Sequence, residues 1–154
     1  MKISQAGLRL IKQEEQFRGK WYRCAAGKPT IGYGHVIQAS EGHYYATPIT
    51  EAEASALLQA DVDKQYAAHV ASRLQRAVTQ NQFDALVSLC YNIGTGGFDQ
   101  SSVLRLANAG PAPAGQIEFA FGLWNKVTDP KTSKRLINSG LTRRRAREAA
   151  LYLS

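Results

Sequence analysis

A change of pattern near residue 50 limits the possible folds of this chain more than any other feature. Residues 19–47 hold five glycines, five aromatic residues and the β-branched pair Thr30 and Ile31, a mixture typical of short antiparallel strands joined by turns. After residue 50 the apolar residues recur with a helical period. The sequence therefore predicts an α+β fold, with a small antiparallel β region in the first third and only helices after residue 50.

A first helix is predicted to begin after Ser4, whose hydroxyl suits an N-cap. Leu8 and Glu15, seven residues apart, then share one helix face, which places the Glu15 carboxylate on an apolar stripe. The neighbouring Glu14 has Arg18 four residues further on as an ion-pair partner. Periodicity alone leaves both glutamates open as candidates for chemistry.

Capping residues mark the starts of two long helices, with a capping box at the first. Thr50 with Glu53 begins a helix whose apolar period continues to about Leu74. Thr79 begins an almost wholly apolar helix, which is predicted to lie at the centre of the core and to end at Gly94 and the glycines that follow it. Shorter helices are predicted over about 99–109, 113–125 and 142–153.

Length and composition indicate one domain. The chain has 154 residues, of which 44% are hydrophobic and 20% charged, enough apolar material for a core and too little charge for disorder. We expect a single domain over 1–154, with an N-terminal lobe of about 1–50, a connecting helix of about 51–74 and a helical lobe of about 75–154. A cleft between two such lobes is a natural place for a ligand.

The net charge of +7 and the sequence pI near 9.6 favour a polyanionic partner. Eight of the 19 basic residues lie between Lys126 and Glu148. Nucleic acid, an anionic lipid surface and a cell envelope rich in carboxylates and phosphates all fit this charge, which alone leaves the three open.

Several classes of protein are excluded. No stretch reaches the roughly 18 apolar residues that a membrane-spanning helix needs, and charged residues interrupt the first 17, so we expect neither a signal peptide nor a membrane anchor. Cys24 and Cys90 form no Cys-x-x-Cys pair, and His35, His43 and His69 form no metal-binding motif. No metal and no cofactor are expected.

Three reactive groups lie close together in the sequence between residues 15 and 30. Glu15 supplies a carboxylate near the end of a helix, Cys24 a thiol in a predicted turn, and Thr30 a hydroxyl at the start of a glycine-rich strand. Such a set can surround one substrate bond. Gly27 and Lys28 superficially resemble a phosphate-binding loop, but the glycine spacing of that loop is absent.

The order and spacing of these residues carry a family resemblance. Glu15-x8-Cys24-x5-Thr30, followed at once by Ile31-Gly32-Tyr33-Gly34-His35, resembles the catalytic signature of the phage lysozymes of glycoside hydrolase family 24, which are muramidase endolysins. Similarity over residues 92–94, 97–104 and 140–148 extends the resemblance to nearly the whole chain. It implies a lysozyme-like fold of two lobes. It also implies hydrolysis of the β-1,4 bond between N-acetylmuramic acid and N-acetylglucosamine in bacterial peptidoglycan, for host cell lysis.

The resemblance implies catalytic roles as well. Glu15 would be the general acid, which needs a carboxyl whose pKa is raised by an apolar setting. Cys24 stands where the family usually has Asp, with Cys a recognised alternative, and Thr30 would position the attacking water. Because an ordinary thiol has a pKa of about 8.5, only a few per cent of it is ionised near neutral pH. Cys24 is thus left as a base, a nucleophile or a group that helps Thr30 to orient water.

Substrate contacts come from two arguments. Gly34 allows a sugar to approach the strand backbone closely. The resemblance places Val36, Tyr91 and Ser101 at substrate-contact positions. At another such position, where some relatives have Asn, this chain has Glu118.

Two supporting contacts are also expected from the resemblance. One of the three arginines at 143–145 is expected to pair with Glu15, and the sequence does not decide which. His35 is expected to be structural, with a hydrogen bond that holds the hairpin to the first helix.

The implied partners are peptidoglycan glycan strands and an anionic bacterial envelope, with no nucleic acid and with the protein acting as a monomer. The resemblance further implies that the enzyme stays in the host cytoplasm until a separate pore-forming holin gives it access to the periplasmic wall. Two alternatives remain. Cys24 with His35 would make a cysteine-dependent amidase or peptidase of the stem peptide. The basic C-terminal third would suit a non-enzymatic nucleic-acid-binding protein.

Overall fold

The computed structural model describes all 154 residues of the chain. Helices predominate and a small antiparallel sheet lies in the first third, which confirms the predicted α+β class. The helices are α1 (Gln5–Lys12), α2 (Glu51–Asp61), α3 (Ala68–Arg73), α4 (Gln80–Asp99), α5 (Ser102–Ala109), α6 (Ala114–Gly122) and α7 (Ser139–Leu153). The strands are β1 (Arg18–Arg23), β2 (Pro29–Gly32), β3 (His35–Val36), β4 (Lys126–Thr128) and β5 (Arg135–Ile137). A 3₁₀-helix spans Ala39–Tyr45, and a π-helix spans Val62–Ala67.

The first helix is shorter than predicted. Ser4 caps it as expected, since its side chain accepts hydrogen bonds from two backbone N–H groups of the first turn, but the helix ends at Lys12. The next backbone bonds run only three residues back, from Glu14 N to Ile11 O and from Glu15 N to Lys12 O, which tightens the chain into a turn. The prediction that Glu15 lies on the apolar stripe of this helix is therefore wrong, because Glu15 belongs to the turn that leads to β1.

The three N-terminal strands form an antiparallel sheet in the order β1-β2-β3. Thr30 of β2 pairs with Val36 of β3, and the tight connection between these strands uses positive φ angles at Gly32 and Gly34. The predicted β region does not continue as strands to residue 47, because Ala39–Tyr45 forms a 3₁₀-helix instead.

The helix predicted from residue 51 to about 74 is present, but it is not a continuous α-helix. Thr50 and Glu53 form the predicted capping box at its start. The π-helix Val62–Ala67 joins α2 to α3, with one extra residue in its turn. We call the whole segment from Glu51 to Arg73 the connecting helix, since it links the sheet to the helices that follow.

The central position of α4 is confirmed. Every residue from Phe83 to Cys90 is buried, and one cluster of 27 buried hydrophobic residues forms the core around this helix. The helix does not end at the glycines as predicted. Gly94, with a φ of 79°, interrupts it, and helical structure resumes until Asp99, so the glycine produces a kink within a longer helix.

The prediction of only helices after residue 50 is wrong for one segment. β4 and β5 form a two-stranded antiparallel ribbon between α6 and α7. All six of its strand residues are exposed, so neither strand has one buried and one exposed face. With three residues each, the strands are also too short to be recognised from the sequence pattern. None of the helices in the structure has the length and hydropathy that a transmembrane span requires.

Candidate active site

A cleft with a volume of about 450 Å³ opens beside the turn that follows α1. That turn, the connection between β2 and β3, the connecting helix and α4 all contribute to its walls. The lining consists of Glu15, Tyr33, Gly34, His35, Val36, Gln38, Leu58, Asp61, Gln65, Tyr66, Tyr91 and Asn92. Four of the residues predicted for the site are thus brought together, namely Glu15, Gly34, Val36 and Tyr91.

Glu15 is the carboxylate of the cleft whose setting suits proton donation. Its side chain is 31% exposed, and burial raises the pKa of its carboxyl above the ordinary value. The positive charge of Arg144 opposes this shift without cancelling it. A carboxyl with a raised pKa retains its proton nearer to neutral pH, which is the state required of a general acid.

Glu14 and Glu15, which periodicity alone did not distinguish as candidates, lie in different environments in the structure. Glu14 forms an ion pair with Arg147 of α7 and does not line the cleft. Glu15 faces the cleft and has no closer cationic partner than Arg144, whose Nη1 lies 4.0 Å from its Oε1. Of these two glutamates, only Glu15 lines the cleft.

Arg144 is the member of the 143–145 arginine run that approaches Glu15, and it is held in place by a buried cluster. Glu148 is fully buried and accepts hydrogen bonds through Oε1 from Arg144 Nε at 3.1 Å, Arg145 Nη2 at 3.0 Å and Ser88 Oγ at 2.6 Å. Burial raises the pKa of Glu148, while the neighbouring cations act in the opposite direction. This cluster holds the Arg144 guanidinium, which faces Glu15, against α4.

Cys24 lies partly exposed in the turn between β1 and β2. Hydrogen bonds from the backbone of Lys28 and Ala26, together with one from the Thr30 hydroxyl, lower the pKa of its thiol. The local fold thus favours the thiolate more than an ordinary cysteine setting does. No charged side chain contributes to this shift, because the donors are backbone groups of the turn and the Thr30 hydroxyl.

Thr30 is buried, and its hydroxyl donates to Lys28 O at 2.9 Å. A single hydroxyl hydrogen serves either that carbonyl or a thiolate at Cys24, so Thr30 can exchange partners when the thiol ionises. Cys24 and Thr30 adjoin each other but do not belong to the lining of the cleft. Thr30 is linked to it through its strand partner Val36, which does line the cleft.

Two predicted substrate positions lie elsewhere. Ser101 caps α5, with its hydroxyl donating to Phe98 O at 2.7 Å and accepting from Leu104 N at 3.1 Å. It lines a separate surface cavity rather than the cleft. Glu118 is exposed on α6 and is also absent from the cleft lining.

His35 does not bond to the first helix, so that prediction is wrong. Its Nδ1 lies 2.7 Å from Asp61 Oδ2 on α2, and its Nε2 lies 2.9 Å from Glu41 Oε2 on the 3₁₀-helix. Burial opposes protonation of the ring, but the hydrogen bonds and charges of the two carboxylates outweigh it and raise the pKa of His35. The histidine therefore ties β3 to the connecting helix and the 3₁₀-helix.

Sequence reasoning missed the contribution of the connecting helix and of Asn92. Asp61, Gln65 and Tyr66 line the cleft from the connecting helix. Asp61 and Gln65 are four residues apart and share a helix face, but polar residues with this spacing are common on any exposed helix.

No group of three or more His, Cys, Asp or Glu side chains is arranged to hold a metal ion.

Comparisons with known proteins give a consistent result. The family model for phage lysozyme matches residues 12–148. The chain is 38% identical over 154 residues to the endolysin of Acyrthosiphon pisum secondary endosymbiont phage 1, covering all of this chain and 99% of that protein. It is 40% identical over 156 residues to the endolysin of Bacillus phage PZA, but spans only 56% of that longer relative.

Solved structures agree with the sequence matches. The muramidase domain of SpmX from Asticaccaulis excentricus superposes with a TM-score of 0.83 at 38% identity, covering 99% of this chain and 98% of that one. The endolysin from Escherichia coli O157:H7 phage FAHEc1 superposes with a TM-score of 0.81 at 38% identity, covering 100% of this chain and 94% of that one.

Proposed function

The chain belongs to the phage lysozyme family, and from this premise we propose that it cleaves the β-1,4 bond between N-acetylmuramic acid and N-acetylglucosamine with Glu15 as the general acid. The family establishes a lysozyme of the endolysin type, an enzyme that degrades peptidoglycan during phage lysis. The choice of bond and the roles of individual residues are the proposal. We propose further that residues 1–154 act as one catalytic domain and as a monomer.

The position of Glu15 carries the proposal. It combines a place in the cleft, partial burial and a raised pKa. In the reaction its proton passes to the glycosidic oxygen as the bond from that oxygen to the anomeric carbon breaks. A water molecule forms the new bond to the anomeric carbon and loses one proton, and Glu15 then regains a proton from solvent.

Arg144 is proposed as a positioning residue for Glu15. At 4.0 Å its guanidinium does not form a close ion pair, which would hold the carboxyl ionised at neutral pH. Its hydrogen bond to Glu148 keeps it at that separation. After proton transfer the cation stabilises the carboxylate left on Glu15.

Cys24 and Thr30 are proposed to act on the attacking water. The lowered pKa of the Cys24 thiol increases the thiolate fraction, which can accept the proton that water loses. The Thr30 hydroxyl, adjacent to the thiol, orients that water. Gly34, Val36 and Tyr91 are proposed as contacts for the glycan, since all three line the cleft. The contact at Ser101 stays a prediction, because its hydroxyl is engaged as the cap of α5.

The alternative in which Cys24 is the nucleophile and His35 its base is not favoured. Both ring nitrogens of His35 are paired with carboxylates, Asp61 and Glu41, so neither is free to accept a proton from the thiol. A catalytic pair would need a free nitrogen within hydrogen-bond distance of the sulfur.

The products of peptidoglycan digestion test the proposed bond. Purified protein is incubated with peptidoglycan, and the soluble fragments are reduced with borohydride and examined by mass spectrometry. The proposal predicts new reducing ends on N-acetylmuramic acid, which become N-acetylmuramitol, and no new free amines. Reduced N-acetylglucosamine ends would assign the other glycosidic bond, and free amines without reducing ends would assign an amidase or a peptidase.

Access to the wall is proposed to depend on a separate holin, with the enzyme held in the host cytoplasm until then. Expression in a bacterial host with and without an inducible holin tests this route. Lysis that begins only after holin induction supports it. Equally fast lysis without holin contradicts it.

A further inference from the structure

The π-helix in the connecting helix changes which residue enters the core. Ala54, Leu58 and Val62 are buried at intervals of four residues, as expected for one face of an α-helix. The same interval would make Tyr66 the next core residue. The next buried residue is instead Ala67, five positions after Val62, because the π turn contains one extra residue.

This change leaves Tyr66 at the boundary between core and cleft, where its side chain lines the cleft that contains Glu15. Its ring lies edge-on to that of Tyr91, with centroids 5.1 Å apart and an interplanar angle of 68°. The Tyr91 hydroxyl in turn lies 3.8 Å from the point where a Cβ on Gly34 would be. The two rings therefore form a continuous aromatic wall from the connecting helix towards the β2–β3 turn.

The hydroxyls of this wall are available to a ligand. Burial raises the pKa of Tyr66 and of Tyr91, and no hydrogen bond contributes to either shift. Both hydroxyls therefore stay protonated at neutral pH and can donate. An aromatic face next to a hydroxyl donor suits an N-acetylated sugar, whose methyl group and ring hydrogens are apolar and whose amide carbonyl accepts a hydrogen bond.

We propose that the π turn presents Tyr66 as a specificity-determining residue, which with Tyr91 binds the acetamido group of an N-acetylhexosamine in the cleft. This inference rests on the proposed function. It assigns Tyr66 to substrate recognition and leaves proton transfer to Glu15. Loss of Tyr66 should accordingly weaken binding of acetylated glycan much more than it slows the bound substrate's cleavage.

Binding is measured on protein that carries Glu15→Gln, so that the probe stays intact. The probe is the tetramer of N-acetylglucosamine, compared with its fully deacetylated form. Tyr66→Leu keeps an apolar side chain but removes the ring and hydroxyl, while Tyr66→Phe removes only the hydroxyl. The matched control is Tyr45→Leu, because Tyr45 is exposed and lies outside the cleft lining.

Tyr66→Leu is expected to weaken binding of the acetylated tetramer about tenfold, and Tyr66→Phe about threefold, as for loss of one aromatic contact or one hydrogen bond. Tyr45→Leu should leave the affinity unchanged, and affinity for the deacetylated tetramer should not respond to either change at Tyr66. In protein with Glu15 intact, Tyr66→Leu should raise KM for peptidoglycan fragments about tenfold and leave kcat within twofold.

Affinity for the acetylated tetramer that stays within twofold in Tyr66→Leu overturns the inference, and so does an equal loss for both tetramers. Either result leaves the proposed function intact if wild-type protein still releases N-acetylmuramic acid reducing ends. Wild-type protein that neither binds the acetylated tetramer nor releases those ends overturns both proposals.

Discussion

Nη1 of Arg144 lies 4.0 Å from Oε1 of Glu15, close enough for its charge to act and too far for a strong hydrogen bond. The net result is a carboxyl whose pKa is still raised by burial. A closer arginine would lower that pKa and leave Glu15 ionised at neutral pH. Arg144 is held on the other side by a hydrogen bond from its Nε to the buried Glu148.

Replacement of Arg144 should move the pH profile in a defined direction. A general acid must be protonated, so activity falls as pH rises through its pKa. Arg144→Gln removes a charge that lowers the pKa of Glu15, and the alkaline limb of kcat should therefore move to higher pH. Exposed Arg143→Gln is the control and should leave the limb in place. An unmoved limb in Arg144→Gln would show that this charge does not tune Glu15.

The same substitution should lower stability. Glu148 is fully buried and would lose one of its two arginine partners. Breaking a buried ion pair on one side costs about 3 kcal/mol, which urea denaturation can measure. Arg143→Gln should change the free energy of unfolding by less than about 0.5 kcal/mol.

Cys24 variants test its proposed action on water. Cys24→Ala should reduce kcat about 100-fold, whereas Cys24→Asp, which restores a carboxylate base, should retain most activity. Iodoacetamide should inactivate the protein by a single addition at Cys24, since burial raises the pKa of Cys90 to about 12. Mass spectrometry counts the additions. Full activity of Cys24→Ala would remove the thiol from the mechanism.

The His35 cluster predicts a pH-dependent contribution to stability. The pKa of His35 is raised in the folded protein, so protonation stabilises the fold fully below the unfolded pKa of about 6.5. This stabilisation is lost as pH rises through the folded pKa. The difference in Tm between wild type and His35→Gln should thus be larger at pH 5.5 than at pH 8.5. Exposed His43→Gln is the control, and an equal difference for His35→Gln at both pH values would contradict the assignment.

Gly32 and Gly27 have similar φ angles but different surroundings, so their substitution distinguishes the cost of backbone strain from that of a steric clash. Gly32 has a φ of 68°, and a Cβ there would lie 3.0 Å from Ala54 Cβ, whereas Gly27 has a φ of 76° and open space. Gly32→Ala should cost about 2 kcal/mol, and Gly27→Ala about 1 kcal/mol from backbone strain alone. Chemical denaturation gives both values. Equal losses would mean that the sheet does not pack closely on the connecting helix at Gly32.

Local signals predicted much of the fold because they depend on short stretches of chain. The caps at Ser4, Thr50 and Thr79 were all correctly predicted, since each needs only a few neighbouring residues. The β4–β5 ribbon could not be predicted in this way. Each of its strands has only three residues, all of them exposed, and a run this short gives no recognisable alternation of polar and apolar residues.

The candidate site was predictable where spacing defines it and not where tertiary packing does. The family resemblance implies Glu15 through its spacing to Cys24. Only the structure shows that α7 pairs Arg147 with Glu14 and leaves Glu15 4.0 Å from Arg144. The spacing of Ala54, Leu58 and Val62 extends to Tyr66 in the sequence. Only the packed structure shows that the π turn gives the core position to Ala67 and leaves Tyr66 in the cleft.

The most direct test of the account compares two adjacent glutamates by the rate at which reducing ends are released from purified peptidoglycan. Glu15→Gln keeps the shape of the side chain but cannot donate the proton, and should lower the rate about 1000-fold with an unchanged Tm. Glu14→Gln removes only an ion pair to Arg147 and should keep the rate within twofold of wild type. A Glu15→Gln protein that releases reducing ends at the wild-type rate would contradict the central claim that Glu15 is the general acid.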